Sequence, residues 1–186
     1  MTGGARFKTT TPELLALLQE LVSARGPCGQ EDEVREICRR ELETVCDKVW
    51  MDASGNVIGV LRGAASSRKP DSTPQPIIRI MAHMDELSLM VKRVDVDGTL
   101  RVNPLGGMSP YNFGQGPVEI LADSCILPGV LSFGSMHTSA ESDKIWQAKA
   151  DGGNKALRWD GVFIFTGLSA EDLKAAGVHA GTRVVI

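Results

Sequence analysis

The chain has 186 residues, 42% of them hydrophobic, and carries 20 Lys and Arg against 23 Asp and Glu for a net charge of -3. That is room for one ordinary domain or two small ones with a real core, and without a basic face a nucleic-acid partner is not expected. No run of residues is long and apolar enough for a bilayer, and the Met1 to Lys8 start lacks the apolar centre of a signal peptide, so a cytoplasmic protein with no membrane partner is expected.

The first predicted element is a helix opened by Thr11-Pro12-Glu13. Threonine suits the N-cap, proline the first helical position and an acid the positive end of the dipole. Leu14, Leu17, Leu18, Leu21 and Val22 follow at helical spacing until Gly26-Pro27-Cys28-Gly29 breaks the pattern. A second helix is predicted over residues 31–45, with Val34, Ile37, Cys38, Leu42 and Val45 on its apolar side. Glu31/Arg35 and Glu36/Arg40 are spaced for helical ion pairs, and these charges read as a solvated face. Cys28, Cys38, Cys46 and Cys125 have no CxxC spacing and read as reduced thiols, Cys38 as a small buried hydrophobe.

A hairpin comes next, with strands over Lys48–Met51 and 57–61 around Asp52-Ala53-Ser54-Gly55-Asn56. Residues 63–76 read as a surface loop. The apolar run over residues 77–82 reads as a strand covered on both faces. Beyond it the texture turns to short β segments: a hairpin over 87–94 and 99–102 with Asp97-Gly98 in its turn, then strands at 118–121 and 129–132. Residues 133–158 are polar and read as a long loop. A strand over 162–165, a short helix capped by Ser169 and stopped at Gly177, and a closing strand over 182–186 complete the pass. The change of texture predicts two domains, 1–86 and 87–186.

The predicted strand over 77–82 runs into Met81-Ala82-His83-Met84-Asp85-Glu86. Side chains two apart on a strand share a face, so His83 and Asp85 are expected side by side. Histidine is the commonest metal ligand, and a neighbouring carboxylate fixes the tautomer of a ligating ring. Half of a metal site can be read here. His137 and His179 read as solvated histidines, and Asp95-Val96-Asp97-Gly98 as a turn with no calcium loop around it. Gly106-Gly107 has no phosphate-binding context, and Ser132 and Ser135 lack the partners of a nucleophile. Trp50 reads as a packing residue; Trp146 and Trp159, in a polar region, are candidates for burial in a partner.

Taken in order, the residues resemble the M42 family of metallo-aminopeptidases. The resemblance rests on the run from Ile77 to Glu86 followed by Leu87-Ser88-Leu89-Met90-Val91, on Gly29-Gln30-Glu31-Asp32-Glu33-Val34-Arg35, and on Asp52-Ala53-Ser54-Gly55-Asn56-Val57. Leu105-Gly106-Gly107, Gly129-Val130-Leu131 and Thr166-Gly167-Leu168-Ser169 continue it. It implies an α/β fold: an incomplete zinc-exopeptidase α/β domain over 1–86, then an inserted PDZ-like β-barrel domain over 87–186 that mediates dimerisation. The resemblance implies peptide substrates cut at their N-terminus, two divalent metal ions (zinc or cobalt) and a homo-oligomer, a dimer or a dodecamer built from dimers. It makes His83 a metal ligand and Asp85 the catalytic-site carboxylate that orients it, with no role for Glu86.

In that family the rest of the machinery follows the inserted domain: an Asp-Asp pair, a Glu-Glu pair, a further Asp and a second His. This sequence has no Asp-Asp and no Glu-Glu. The expectation is therefore a catalytically incomplete chain whose first 86 residues expose apolar surface and are partly disordered, swapped or covered in an oligomer. A co-catalytic zinc deacylase or carboxypeptidase is the nearest other enzyme class, and a non-enzymatic oligomerisation or peptide-binding β module the main alternative.

Overall fold

Thr11 caps the first helix in the computed structural model, which describes residues 11–62, 78–134 and 157–186. Its hydroxyl accepts from the Leu14 amide at 3.3 Å, and Pro12 opens the helix α1 (Pro12–Ser23). The leucine stripe is present but none of it is fully buried: Leu14, Leu18 and Val22 stay exposed, and Leu17 and Leu21 are half-buried. Helix α2 (Asp32–Val45) buries Ile37 and leaves Cys38 half-buried, where burial pushes the thiol upward. Strands β1 (Lys48–Met51) and β2 (Val57–Val60) form the expected hairpin.

Arginines hold these pieces together. The Arg25 amide and guanidinium both reach Glu33, and Arg40 makes a bidentate contact with Glu20 of α1 at 2.7 Å twice. Arg35 pairs with Glu31 as expected and also donates from Nε to the Gly55 carbonyl, tying the hairpin to α2. The expected Glu36–Arg40 pair is not made. Glu36 takes Arg39 instead, because Arg40 turns toward Glu20 and Glu41.

The strand expected over 77–82 is not formed in its described part. Residues 78–82 belong to no ladder, and Ile80 and Met81 are 92% and 90% exposed. A strand buried on both faces exists only when neighbours pair with it and helices cover it. No described residue pairs with 78–82, so an apolar composition alone leaves it extended and solvated.

The chain divides into two compact units, Met1–Asp85 and Glu86–Ile186. The second is a closed six-stranded barrel of β3 (Ser88–Val94), β4 (Leu100–Leu105), β5 (Gly116–Leu121), β6 (Ile126–Ser132), β7 (Phe163–Phe165) and β8 (Arg183–Val185). Its spatial order is β3-β4-β7-β6-β5-β8, every pairing is antiparallel, and β8 closes the ring against β3. Helix α3 (Pro110–Phe113) lies between β4 and β5, and α4 (Ala170–Ala175) precedes β8.

Alternation puts Leu89, Val91, Leu100, Val102, Val118, Ile120, Leu131, Ile164 and Val184 inside the barrel. Burying each such side chain stabilises by roughly 1.5–3 kcal/mol. A register shift between Val91 and Arg93 leaves Lys92 as an extra residue, so the inward face resumes at Val94. Trp159 is not left for a partner: its Nε1 donates to the Met108 carbonyl at 3.0 Å and its ring meets Phe113 edge-on at 5.8 Å. Trp146, His137 and nearly all of the two predicted loops lie outside the described residues.

Candidate functional site

The segment carrying His83 and Asp85 runs past a glycine. A Cβ on Gly26 would stand 2.8 Å from Val34 Cγ2 and 3.2 Å from the Met84 carbonyl oxygen. Only a residue without a side chain lets the α1–α2 connection sit between α2 and this segment. Pro27 beside it is fully buried. The Gly-Pro break in the helical pattern thus does more than end α1: it makes room for the segment that carries the histidine.

His83 and Asp85 are brought together, although not on a strand. His83 Nδ1 lies 3.1 Å from Asp85 Oδ1 and 3.0 Å from the Asp85 carbonyl oxygen. Both of those atoms can only accept while the carboxylate is ionised, so Nδ1 must carry the proton. In the neutral ring Nε2 is then left with its lone pair, the atom a metal or an acidic proton would use. The imidazole is 85% exposed and Asp85 44%, so Nε2 is open to solvent.

Among the described residues, no group of three or more His, Cys, Asp and Glu converges on a point that could hold a metal ion. A catalytic zinc typically takes about three protein ligands and keeps an open position. His83 offers one donor, and Asp85 meets that ring at Nδ1 through Oδ1. The described residues therefore do not make up a metal centre by themselves.

Other sequence candidates separate cleanly. Asp95 is engaged by Arg93 and Arg101 at 2.6 and 2.8 Å, and Asp97 caps the Thr99 amide, so the Asp95–Gly98 stretch is a turn. The Arg101 and then the Arg93 guanidinium hold the Asp95 carboxyl below its ordinary value. His179 is exposed as expected, but its Nε2 lies 3.3 Å from Asp123 Oδ1, a partner 56 positions away with no local signal. The free thiols of Cys46 and Cys125 line no such cluster among the described residues.

Residues 55–186 match the sequence profile of the M42 glutamyl aminopeptidase family. A lysyl aminopeptidase of Pyrococcus furiosus is 30% identical over 168 residues, which is 89% of this chain and 43% of that protein. Among solved structures, an aminopeptidase of the archaeon Desulfurococcus kamchatkensis aligns with a TM-score of 0.71 and 28% identity, covering 92% of this chain and 42% of that one. A TET aminopeptidase of a marine-sediment thaumarchaeon aligns with a TM-score of 0.73 at 25% identity, covering 92% and 43%. The 186 residues span less than half the length of the relatives they match.

Proposed function

The chain belongs to the M42 glutamyl aminopeptidase family, and we propose that it serves metal-dependent removal of N-terminal residues from peptides. Its part is to supply one edge of a site for two divalent ions. His83 would hold a metal through Nε2, while Asp85 accepts the Nδ1 proton and keeps the ring in that tautomer. When bound, such metals polarise a carbonyl and lower the pKa of water. The observation that carries the reading is the His83 ring, pinned at Nδ1 by two oxygens of one residue and open at Nε2.

The other ligands and the general base are assigned to polypeptide outside these 186 residues. The absence of any Asp-Asp or Glu-Glu pair in the sequence supports this, as does the greater length of the relatives. The first unit is then part of a zinc-exopeptidase α/β domain and the barrel an inserted PDZ-like domain. Free thiols at Cys38, Cys46 and Cys125 support a cytoplasmic location. No helix among the described residues is long and apolar enough to cross a membrane.

Self-association is the second role, favoured by the barrel's outer face. Ile126 and Val130 of β6 and Phe165 of β7 are exposed there, with Val130 and Phe165 opposite each other in register. Peptide capture by strand addition has less support. Each strand of the ring pairs on both sides, so no whole strand offers a free edge.

The test is hydrolysis of aminoacyl-nitroanilides with added zinc or cobalt. The 186-residue chain alone should give no turnover above background, and activity should return when the remaining catalytic polypeptide of a family member is added. Turnover by the isolated chain would overturn the assignment of the other ligands. With both polypeptides present, His83→Ala should abolish activity; if it does not, His83 is not a ligand.

A further inference from the structure

The connection between α4 and β8 is held to the β5–β6 turn by four contacts. Ser124 Oγ donates to the Ala176 carbonyl at 2.8 Å, and the Ser124 and Asp123 amides face the Ala176 and Gly177 carbonyls at 3.4 and 3.5 Å. Gly177, at φ +86°, gives Asp123 its room, since a Cβ there would stand 2.6 Å from Asp123 Cβ. The fourth contact is His179 Nε2 to Asp123 Oδ1 at 3.3 Å. The far side of the connection is tied to β3, where Gly181 N donates to the Val91 carbonyl and Val91 N to the Thr182 carbonyl, each at 2.8 Å. The next residue begins β8, which closes the ring between β3 and β5.

Both nitrogens of the His179 ring face oxygen acceptors. Nδ1 lies 2.8 Å from the Ala180 carbonyl and Nε2 faces the Asp123 carboxylate. A neutral imidazole has one N–H and can satisfy only one of them; the imidazolium satisfies both. We propose that Asp123 and His179 form a proton-operated clasp that holds the barrel-closing strand β8 to the β5–β6 turn. Asp123, from the β5–β6 turn, is the charged group that acts on the ring; the adjacent elements also carry Lys92 on β3, Glu119 on β5, Lys174 on α4 and Arg183 on β8. The Ala180 carbonyl and then Asp123 raise the ring's pKa above its ordinary value, which agrees with the geometry. The clasp is therefore closed below the ordinary imidazole value and opens as pH rises through the ring's own higher one.

The full 186-residue chain, D123N and H179Q are to be compared by NMR between pH 5 and 9, with H179Q identifying the ring signal. His179 should titrate at higher pH in wild type than in D123N. The amides of residues 122–125 and 176–182 should move with the same midpoint, and stay flat in H179Q. At low pH the β8 amides should exchange about two- to fivefold more slowly in wild type than in D123N, the range of an exposed ion pair, and the two should converge at high pH. An unchanged His179 midpoint in D123N, turn amides that ignore the titration, or equal β8 exchange at every pH would each overturn the clasp. Both partners are exposed, so neither substitution touches the barrel core.

Discussion

At Gly98 the hairpin turn between β3 and β4 leaves no room for a methyl group. The backbone sits at φ +80°, and a Cβ there would come 1.9 Å from the Leu168 carbonyl oxygen. The same approach lets Thr166 Oγ1 donate to the Gly98 carbonyl at 3.4 Å, so the turn and the segment before α4 rest on each other. Gly98→Ala combines left-handed strain with a backbone clash and should lower the barrel's stability by roughly 2–4 kcal/mol, read by urea denaturation. At Asp85 the expected effect is on chemistry rather than stability. Asp85→Ala removes one of the two acceptors at His83 Nδ1, and nitrogen NMR of the His83 ring should show the Nε2–H tautomer gaining population.

Among the elements, the β3–β4 hairpin carries the clearest electrostatic signature. Asp95 bridges Arg93 and Arg101, one from each strand, and Arg101 in turn lies over the Phe163 ring of β7 at 5.5 Å. Because the folded carboxyl titrates below its ordinary value, its contribution is complete above about pH 3.9 and is lost as pH falls through the lower folded value. Asp95→Asn should flatten the acid limb of the barrel's thermal midpoint plotted against pH, and leave the midpoint at pH 7 slightly reduced. What the sequence made readable at this scale is what is local. Thr11-Pro12, Ser169 before α4 and Asp97-Gly98 name their caps and turn because cap and partner lie within four residues. Strand β6 begins at Ile126, ahead of the expected 129, because the ladder tolerates Pro128 opposite Glu119. The described part of the run over 77–82 departs from expectation for a different reason: its composition fits a covered strand, but strands are made by neighbours. In the candidate site, His83 and Asp85 are legible because they lie two positions apart, whereas Asp123 and His179 meet only through the fold.

For the whole molecule, apolar surface is distributed unevenly between the units. The first exposes Leu14, Leu15, Leu18 and Val22 along one helix, and the barrel exposes Ile126, Val130 and Phe165 outside a well-filled core. Sedimentation should show concentration-dependent association. Val130→Lys with Phe165→Glu should shift it toward the monomer if the barrel face drives it, without lowering the barrel's thermal midpoint by much, since both side chains already face solvent. Chelators should leave that midpoint unchanged, because the barrel core is built from side chains alone.

The ring order sets a schedule for synthesis. Strands β3, β4, β5, β6 and β7 can pair as soon as they exist, but the sheet they make has β3 and β5 as open edges. Only residues 183–185 cover both, so a ribosome making this polypeptide carries two unpaired strand edges until that tripeptide has cleared its exit tunnel. A pause in translation just before Arg183 would prolong the interval in which nascent chains can join one another edge to edge.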